Sequence, residues 1–234
     1  MIRYLLPRYK KKVKALWLQY LFTRTVKQIA QLPLGQSPTR KMLADLRLGW
    51  GNYGFVANLD YLEEVAKQAL QTSGPILECG SGLTTIILGL LAGRRGVEIY
   101  SLEHLPSWRS QVLNIIQKHQ IPGIHVCFSP LENYGDFFWY DLPCEILPQK
   151  FQLIVCDGPP GKTPGGRYGL LPVMQQYFSH ENTILLDDAH RPGEIEVIDK
   201  WIHEAKVKVK TQEMSQGTYA LITASSSYED KRVT

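Results

Sequence analysis

From Gly74 onward, short apolar runs rich in β-branched residues alternate with longer segments of helical periodicity. This alternation is typical of repeated βαβ units, which place helices on both faces of a parallel sheet. Two more β-rich segments follow the last helix and are joined by a turn at 215–217. The sequence therefore predicts an α/β fold with a doubly wound, mostly parallel seven-stranded sheet. The predicted strands are 76–79, 97–102, 124–128, 153–156, 183–186, 207–214 and 218–223, and the predicted helices are 83–94, 107–119, 170–178 and 193–205.

The first predicted strand runs into a glycine-rich turn that opens a helix, in the stretch Ile-Leu-Glu-Cys-Gly-Ser-Gly-Leu-Thr-Thr that starts at Ile76. Such a turn lets the backbone approach a ligand closely, and it directs unpaired helix N–H groups at an anion. A dinucleotide site would have the spacing GxGxxG, but Thr85 occupies the position of the third glycine. This departure disfavours a nicotinamide cofactor without excluding it.

Glu103 ends the second predicted strand, at the edge of the sheet where the glycine-rich turn lies. A carboxylate at this position can accept hydrogen bonds from both hydroxyls of a ribose. The alternative is an acid that caps the following helix or is solvated.

Acidic residues also follow the fourth and fifth predicted strands, as Asp157 and as the pair Asp187-Asp188. Neighbouring strand ends would bring the three carboxylates close together, where they repel one another unless a proton or a cation neutralises them. Carboxylate oxygens favour Mg²⁺ or Ca²⁺, with Mn²⁺ as a third candidate. The alternative role is capping and turn formation.

The glutamate before the glycines, the short GxG and the second acid at a later strand end resemble the class I S-adenosylmethionine-dependent methyltransferases, over residues 74–223. The resemblance implies a Rossmann-like methyltransferase fold that binds S-adenosylmethionine and transfers its methyl group to a small-molecule acceptor. Glu78 would then lie near the amino group of the cofactor's methionine, and Glu103 would lie on its ribose. The cofactor-binding set implied by the resemblance is Glu78, Gly80, Ser81, Gly82, Glu103 and Asp157.

The acids after the fourth and fifth strands are similar to those of the catechol-type, metal-dependent O-methyltransferases. This similarity implies that Asp157, Asp187 and Asp188 hold a divalent cation, Mg²⁺ by preference. The lysine that this family places three residues after the first acid is Pro160 here, so His190 and Lys162 are the candidate bases, beside Asp157 in the catalytic set.

The Asp-Gly-Pro motif at Asp157 and the loop 161–169, which carries two cations, also resemble sugar-acid O-methyltransferases. A hydroxylated or sugar-acid acceptor is therefore predicted, and the loop could close over an acidic one. Three alternatives stay open: a metal-independent methyltransferase, a nicotinamide-dependent oxidoreductase and a non-catalytic cofactor-binding module.

The N-terminal part of the chain is strongly basic, because residues 1–47 carry a net charge of +10 and the remainder carries −6. Apolar residues recur there at three- and four-residue steps, which predicts a helix with one apolar face and lysines largely on the other. That face would pack on the body of the domain or on a second subunit. Alternatively it would lie on an anionic membrane, and no nucleic-acid partner is expected. The residues assigned to the apolar face are Leu5, Tyr9, Val13, Leu16, Trp17, Tyr20, Leu21 and Ile29.

These patterns divide the chain into a basic helical extension (1–73), a cofactor-binding domain (74–223) and a polar tail (224–234). A further helix is predicted near 59–70. Trp50, Asn52 and Tyr53 precede the first strand and would pack on the core or cover an acceptor pocket. The four cysteines form no metal-binding motif, and no apolar run is long enough for a membrane span, so a cytoplasmic location is expected.

Overall fold

The computed structural model describes residues 2–51 and 56–223, with side chains from Lys10 onward. Asn52, Tyr53 and the predicted tail 224–234 lie outside the described residues. The strands are β1 (Ile76–Cys79), β2 (Ile99–Glu103), β3 (Ile124–Phe128), β4 (Leu131–Asn133), β5 (Phe138–Tyr140), β6 (Phe151–Cys156), β7 (Phe178–Leu186), β8 (Lys208–Glu213) and β9 (Thr218–Thr223). The helices are α1 (Ile2–Ala30), α2 (Arg40–Trp50), α3 (Leu59–Gln71), α4 (Leu83–Leu91), α5 (Pro106–His119), α6 (Leu170–Met174) and α7 (Pro192–Ala205).

Seven strands form one sheet in the order β3-β2-β1-β6-β7-β9-β8. The first five of these are parallel, and β9 runs antiparallel to both of its neighbours. Every residue of β1, the strand at the centre of the parallel part, is buried, as expected for a strand with helices on both faces. The predicted doubly wound, seven-stranded α/β fold is confirmed. The carboxyl ends of β1, β2, β3, β6 and β7 consequently lie along one edge of the sheet.

The sequence did not reveal the hairpin of β4 and β5, which forms a separate two-stranded sheet. Each of its strands has three residues, too few for a period-2 pattern to be recognised. The hairpin nevertheless contributes Trp139 and Tyr140, which are fully buried beside the central strands.

The N-terminal helices share a core with the sheet. Phe22, Val26 and Ile29 of α1 are buried in one cluster with residues of α2, α3 and α4. This agrees with packing of the extension on the body of the domain. Trp50, at the end of α2, packs against Phe22 and against Trp108 of α5. Among the described residues no helix is long and apolar enough to cross a membrane.

The prediction of one continuous apolar face on α1 is wrong. Val13, Leu16, Trp17 and Tyr20 are exposed, whereas Leu21 and Ile29 are buried. The side chains of Leu5 and Tyr9 lie outside the described residues. Each residue advances about 100° around a helix, so Leu21 cannot share the row of Tyr20. The helix has two apolar faces, one packed on the core and one turned away from it.

Candidate functional site

Glu78, on the central strand, is fully buried at the carboxyl edge of the sheet. Its Oε2 accepts hydrogen bonds from the hydroxyls of Thr85 and Ser101, each at 2.6 Å, whereas its Oε1 has no partner among the described residues. Burial raises the pKa of Glu78 to about 7, although hydrogen bonds from Ser101, Thr84 and Thr85 oppose the shift. A buried carboxylate with one unpaired oxygen is suited to bind a cationic donor of a ligand.

The glycine-rich turn connects β1 to α4 and leaves space at its centre. Gly80 has φ +90°, and a Cβ there would lie 3.0 Å from the backbone nitrogen of Gly158. At Gly82 a Cβ would meet nothing within 4 Å, so this side of the turn is open. Thr85, which replaces the third glycine of a dinucleotide motif, accepts a hydrogen bond from Gly82 N at 2.7 Å. Its hydroxyl thereby links the turn to Glu78.

Glu103 lies across the turn and is almost fully buried. Its Oε2 accepts hydrogen bonds from Ser81 N at 3.2 Å and Ser81 Oγ at 2.7 Å, and its Oε1 accepts one from Leu105 N at 2.9 Å. Burial would raise the pKa of Glu103, but hydrogen bonds from His104, Leu105 and Ser81 outweigh burial, and the pKa lies below its usual value. Glu103 is therefore an ionised acceptor whose partners are neutral donors and one histidine.

Two more buried polar atoms on this edge, Oγ of Ser129 and the hydroxyl of Tyr140, lack a hydrogen-bond partner within the described parts of the chain. Beside them, Nδ1 of His104 lies 3.3 Å from Oε1 of Glu103. His104 and Ser129 follow β2 and β3, and the ring of Tyr140 lies 6.3 Å from that of His104. Unsatisfied buried polar atoms are uncommon in native proteins, and one explanation for them is a bound polar group. We call Glu78, the turn 80–82 and Glu103, with these three neighbours, the cofactor edge.

The three predicted aspartates do come together farther along the same edge. Asp157 follows β6, Asp187 and Asp188 follow β7, and one carboxylate oxygen from each lies within 4.8 Å of the others. We call these three residues the acidic cluster. Asp187 is buried, and the other two are partly exposed.

Arg167, a buried arginine of the loop 161–169, neutralises part of this cluster, a role that its position in the sequence does not predict. Arg167 donates to the backbone oxygens of Asp187 and Asp157 at 2.5 and 2.6 Å, and to Asp157 Oδ1 at 3.2 Å. Its side chain is 2% exposed, so it cannot also reach an acceptor above the loop. Of the two loop cations, Arg167 is thus turned into the protein and Lys162 is exposed. Gly165 and Gly166, both with positive φ, turn the chain just before it.

Glu194 and Arg191, at the start of α7, extend the charge network. Glu194 is buried, and its Oε1 lies 3.7 Å from Nε of Arg167. Arg191 is exposed and forms an ion pair with Asp188 at 2.8 Å. With all four acids ionised, the two guanidinium groups leave two negative charges uncompensated. The pKa of Asp187 is accordingly raised to about 8, by burial first and then by its aspartate neighbours, against the opposing effect of Arg167. Burial likewise raises the pKa values of Asp157 and Glu194.

The two candidate bases lie outside this network. His190 is exposed, its Nδ1 accepts a hydrogen bond from Thr218 N at 3.2 Å, and its ring lies against Gly217. Lys162 is exposed and forms no hydrogen bond or ion pair within the described residues. Neither forms an ion pair with the acidic cluster. His190 therefore has a backbone partner, whereas Lys162 has no partner within the described residues.

No protein-family model matches this sequence, and no protein of curated function is significantly similar to it. Solved structures do share its fold. A methyltransferase of Podospora anserina, PaMTH1, solved with S-adenosylhomocysteine bound, is 12% identical, with a TM-score of 0.60 over 93% of this chain and 96% of its own. An O-methyltransferase from Bacillus cereus, also in complex with S-adenosylhomocysteine, is 13% identical, with a TM-score of 0.54 over 83% of this chain and 93% of its own.

The neighbours are not confined to one acceptor. A tRNA (m1A58) methyltransferase from Aquifex aeolicus is 13% identical, with a TM-score of 0.53 over 79% of this chain and 75% of its own. At these identities the likeness concerns the fold. The chain has the Rossmann-like fold of S-adenosylmethionine-dependent methyltransferases.

Proposed function

We propose that this chain binds S-adenosylmethionine along the cofactor edge and catalyses transfer of its methyl group. The observation that carries the proposal is the pairing of two buried carboxylates, Glu78 and Glu103, across the open turn at Gly82. When bound, the cofactor would supply a methyl group on a positively charged sulfur. The protein's task is then to hold that sulfur and the acceptor in line.

The residues of the cofactor edge suit the parts of this ligand. The unpaired Oε1 of Glu78 would accept from the ammonium of the methionine portion. Glu103 would accept from the two ribose hydroxyls, which would take the place of the donors of Ser81. Gly82 would admit the ligand, since a side chain there would fill the open space beside the turn.

Titration calorimetry with S-adenosylmethionine, S-adenosylhomocysteine and NAD⁺ tests this assignment. We expect the first two to bind and NAD⁺ not to bind. Glu103→Ala should weaken binding at least about tenfold, because a buried diol left without its acceptor costs roughly 1 to 3 kcal/mol. Glu98→Ala is the matched control, since Glu98 is a half-exposed carboxylate that pairs with His125. Equal affinities for both variants and the wild type would show that Glu103 is not the ribose acceptor.

For the acceptor, we propose O-methylation of a small hydroxylated or sugar-acid molecule, assisted by a divalent cation at the acidic cluster. Asp157, Asp187 and Asp188 would hold the ion, and their uncompensated charge supports this proposal. Mg²⁺ would lower the pKa of an acceptor hydroxyl bound beside it. His190 or Lys162 would take the proton, and Lys162 would also attract an acidic acceptor.

A metal-independent methyltransferase is the second candidate, and Arg167 favours it. A buried guanidinium already offsets part of the negative charge, and protons on Asp187 and a neighbouring acid would offset the rest. Turnover of hydroxy acids, catechols and uronates to S-adenosylhomocysteine, measured with Mg²⁺ and with EDTA, separates the two. The metal proposal predicts loss of turnover in EDTA and in Asp187→Asn, with cofactor affinity retained. Full turnover in EDTA would establish the second candidate.

A further inference from the structure

The N-terminal half of α1 presents an apolar row that nothing in the described structure covers. Val13, Leu16, Trp17 and Tyr20 are between 46% and 66% exposed. They occupy the side of the helix opposite the residues that enter the core, because the row 13-16-17-20 and the buried set 22-26-29 are separated by roughly half a turn. Four adjacent apolar side chains, two of them aromatic, form a continuous exposed patch.

Cations surround this patch. Lys10, Lys12 and Lys14 are all exposed beside its N-terminal end, and Arg24 and Lys27 continue the row toward the body of the protein. None of these five forms a salt bridge among the described residues. The helix thus combines an apolar centre, amphipathic aromatic rings and a basic margin.

We propose that this face of α1 binds the surface of an anionic lipid bilayer. Val13, Leu16, Trp17 and Tyr20 would enter the boundary between headgroups and acyl chains, where Trp and Tyr are favoured. The lysines would meet lipid phosphates at the same depth. Because Phe22, Val26 and Ile29 already fix the other side of the helix to the core, the patch is presented at the surface in the folded protein.

Charge distinguishes a bilayer from the other partners of an apolar helix face. In a symmetric pair, a second copy would place its own lysines beside these lysines, and like charges would oppose association. An anionic bilayer neutralises the whole basic margin at once. The proposal does not depend on methyl transfer, and its test measures no activity.

The experiment is sedimentation of the full chain with vesicles at low salt. Vesicles of equal parts phosphatidylcholine and phosphatidylglycerol should bind the protein, and vesicles of phosphatidylcholine alone should bind it far more weakly. Replacing Lys10, Lys12 and Lys14 by Gln should lower the partition coefficient by on the order of a hundredfold, since each cation near an anionic surface raises it by a factor of about five. Leu16→Ala and Trp17→Ala should each lower it by about tenfold.

The chain offers a matched control for each change. Lys206, Lys208 and Lys210 are exposed, have the same spacing as the three lysines of α1, and lie at the opposite end of the chain on and beside β8. Leu34 is 64% exposed against 66% for Leu16, but it lies outside the patch. Replacing the three control lysines by Gln, or Leu34 by Ala, should leave the partition coefficient within about twofold of the wild-type value, since neither change alters the patch. Helix content by circular dichroism confirms that the variants fold.

Four results would overturn the proposal. One is failure of the full chain to sediment with anionic vesicles. Another is equal loss of binding in the test and control lysine variants, which would indicate general attraction. The third is a combination of two observations: light scattering shows a dimer that Leu16→Ala dissociates, and the unaltered chain does not bind vesicles. The patch would then be an interface between two copies. Strong binding to the anionic vesicles that survives Trp17→Ala and Leu16→Ala would also contradict insertion of the patch.

Discussion

The cofactor edge and the acidic cluster are both built from carboxylates at the ends of parallel strands, but they are stabilised in different ways. Glu78 and Glu103 accept hydrogen bonds mainly from neutral groups, the hydroxyls of Ser81, Thr85 and Ser101 and backbone N–H groups. The acidic cluster instead depends on a buried guanidinium, Arg167. The donors of a ligand can replace neutral donors without leaving a buried charge unpaired. Removing a buried arginine, by contrast, leaves the buried carboxylates without their counter-charge.

The largest effect should follow from removing that arginine. Arg167→Met leaves buried Asp187 and Glu194, and partly buried Asp157, without their main counter-charge, and about 3 to 5 kcal/mol of the free energy of unfolding should be lost. Arg191→Met is the control, because Arg191 is half-exposed and pairs with Asp188, and an exposed pair contributes only about 0 to 1 kcal/mol. Denaturant unfolding at neutral pH measures both. Equal losses would mean that Arg167 does not hold the acidic cluster together.

The second effect concerns the pH dependence of stability. The folded chain keeps a proton on Asp187 up to about pH 8, whereas an unfolded aspartate releases its proton near 3.8. Between these values the folded state binds more protons, so stability falls as the pH rises. Asp187→Asn removes this contribution, and the variant should gain stability relative to the wild type across that window.

The exposed Asp199 of α7 supplies the control for this prediction. Asp199→Asn should follow the wild-type profile. The pKa of Glu78 is also raised, but Glu78 is present in every protein compared, so its contribution to the pH dependence is the same in each profile. Unfolding profiles for the wild type and Asp187→Asn that run parallel from pH 4 to 8 would show that Asp187 is ionised throughout.

The sequence predicted the main features of the fold because its helices and strands are strongly patterned, and it located the acids because strand ends fix their positions. The proximity of Asp157 to Asp187 and Asp188 follows from the pairing of β6 with β7. Arg167 could not be predicted in the same way. It lies in a glycine-rich loop with no periodicity, and its position depends on turns at Gly165 and Gly166 that become apparent only in three dimensions.

The same limit applies to the faces of α1 and to Thr85. Hydrophobic periodicity identifies apolar rows but does not say which row meets the core, so the pattern places Tyr20 and Leu21 on one face. The glycine motif identifies Thr85 only as a missing glycine. In the structure it makes two hydrogen bonds that no motif based on glycines would indicate.

A smaller effect should separate two of the hydroxyls that donate to the cofactor edge, those of Thr85 and Ser81. Thr85→Val leaves Gly82 N–H and Glu78 Oε2 short of a partner, which should cost about 1 to 3 kcal/mol of stability. Ser81→Ala should cost less, because Glu103 keeps its backbone donors from Ser81 and Leu105. Thermal or denaturant unfolding compares them. A larger loss in Ser81→Ala would mean that the Ser81 hydroxyl, and not Thr85, fixes the turn.

The central claim, that the cofactor edge binds S-adenosylmethionine, is tested most directly by a crystal structure of the full chain with S-adenosylhomocysteine. We predict that the ribose hydroxyls lie within hydrogen-bonding distance of Glu103, that the hydroxyl of Ser81 has released Glu103 Oε2, and that the amino group of the ligand faces Glu78 Oε1. A ligand bound elsewhere, or a ribose that leaves the bond between Ser81 Oγ and Glu103 intact, would contradict the account.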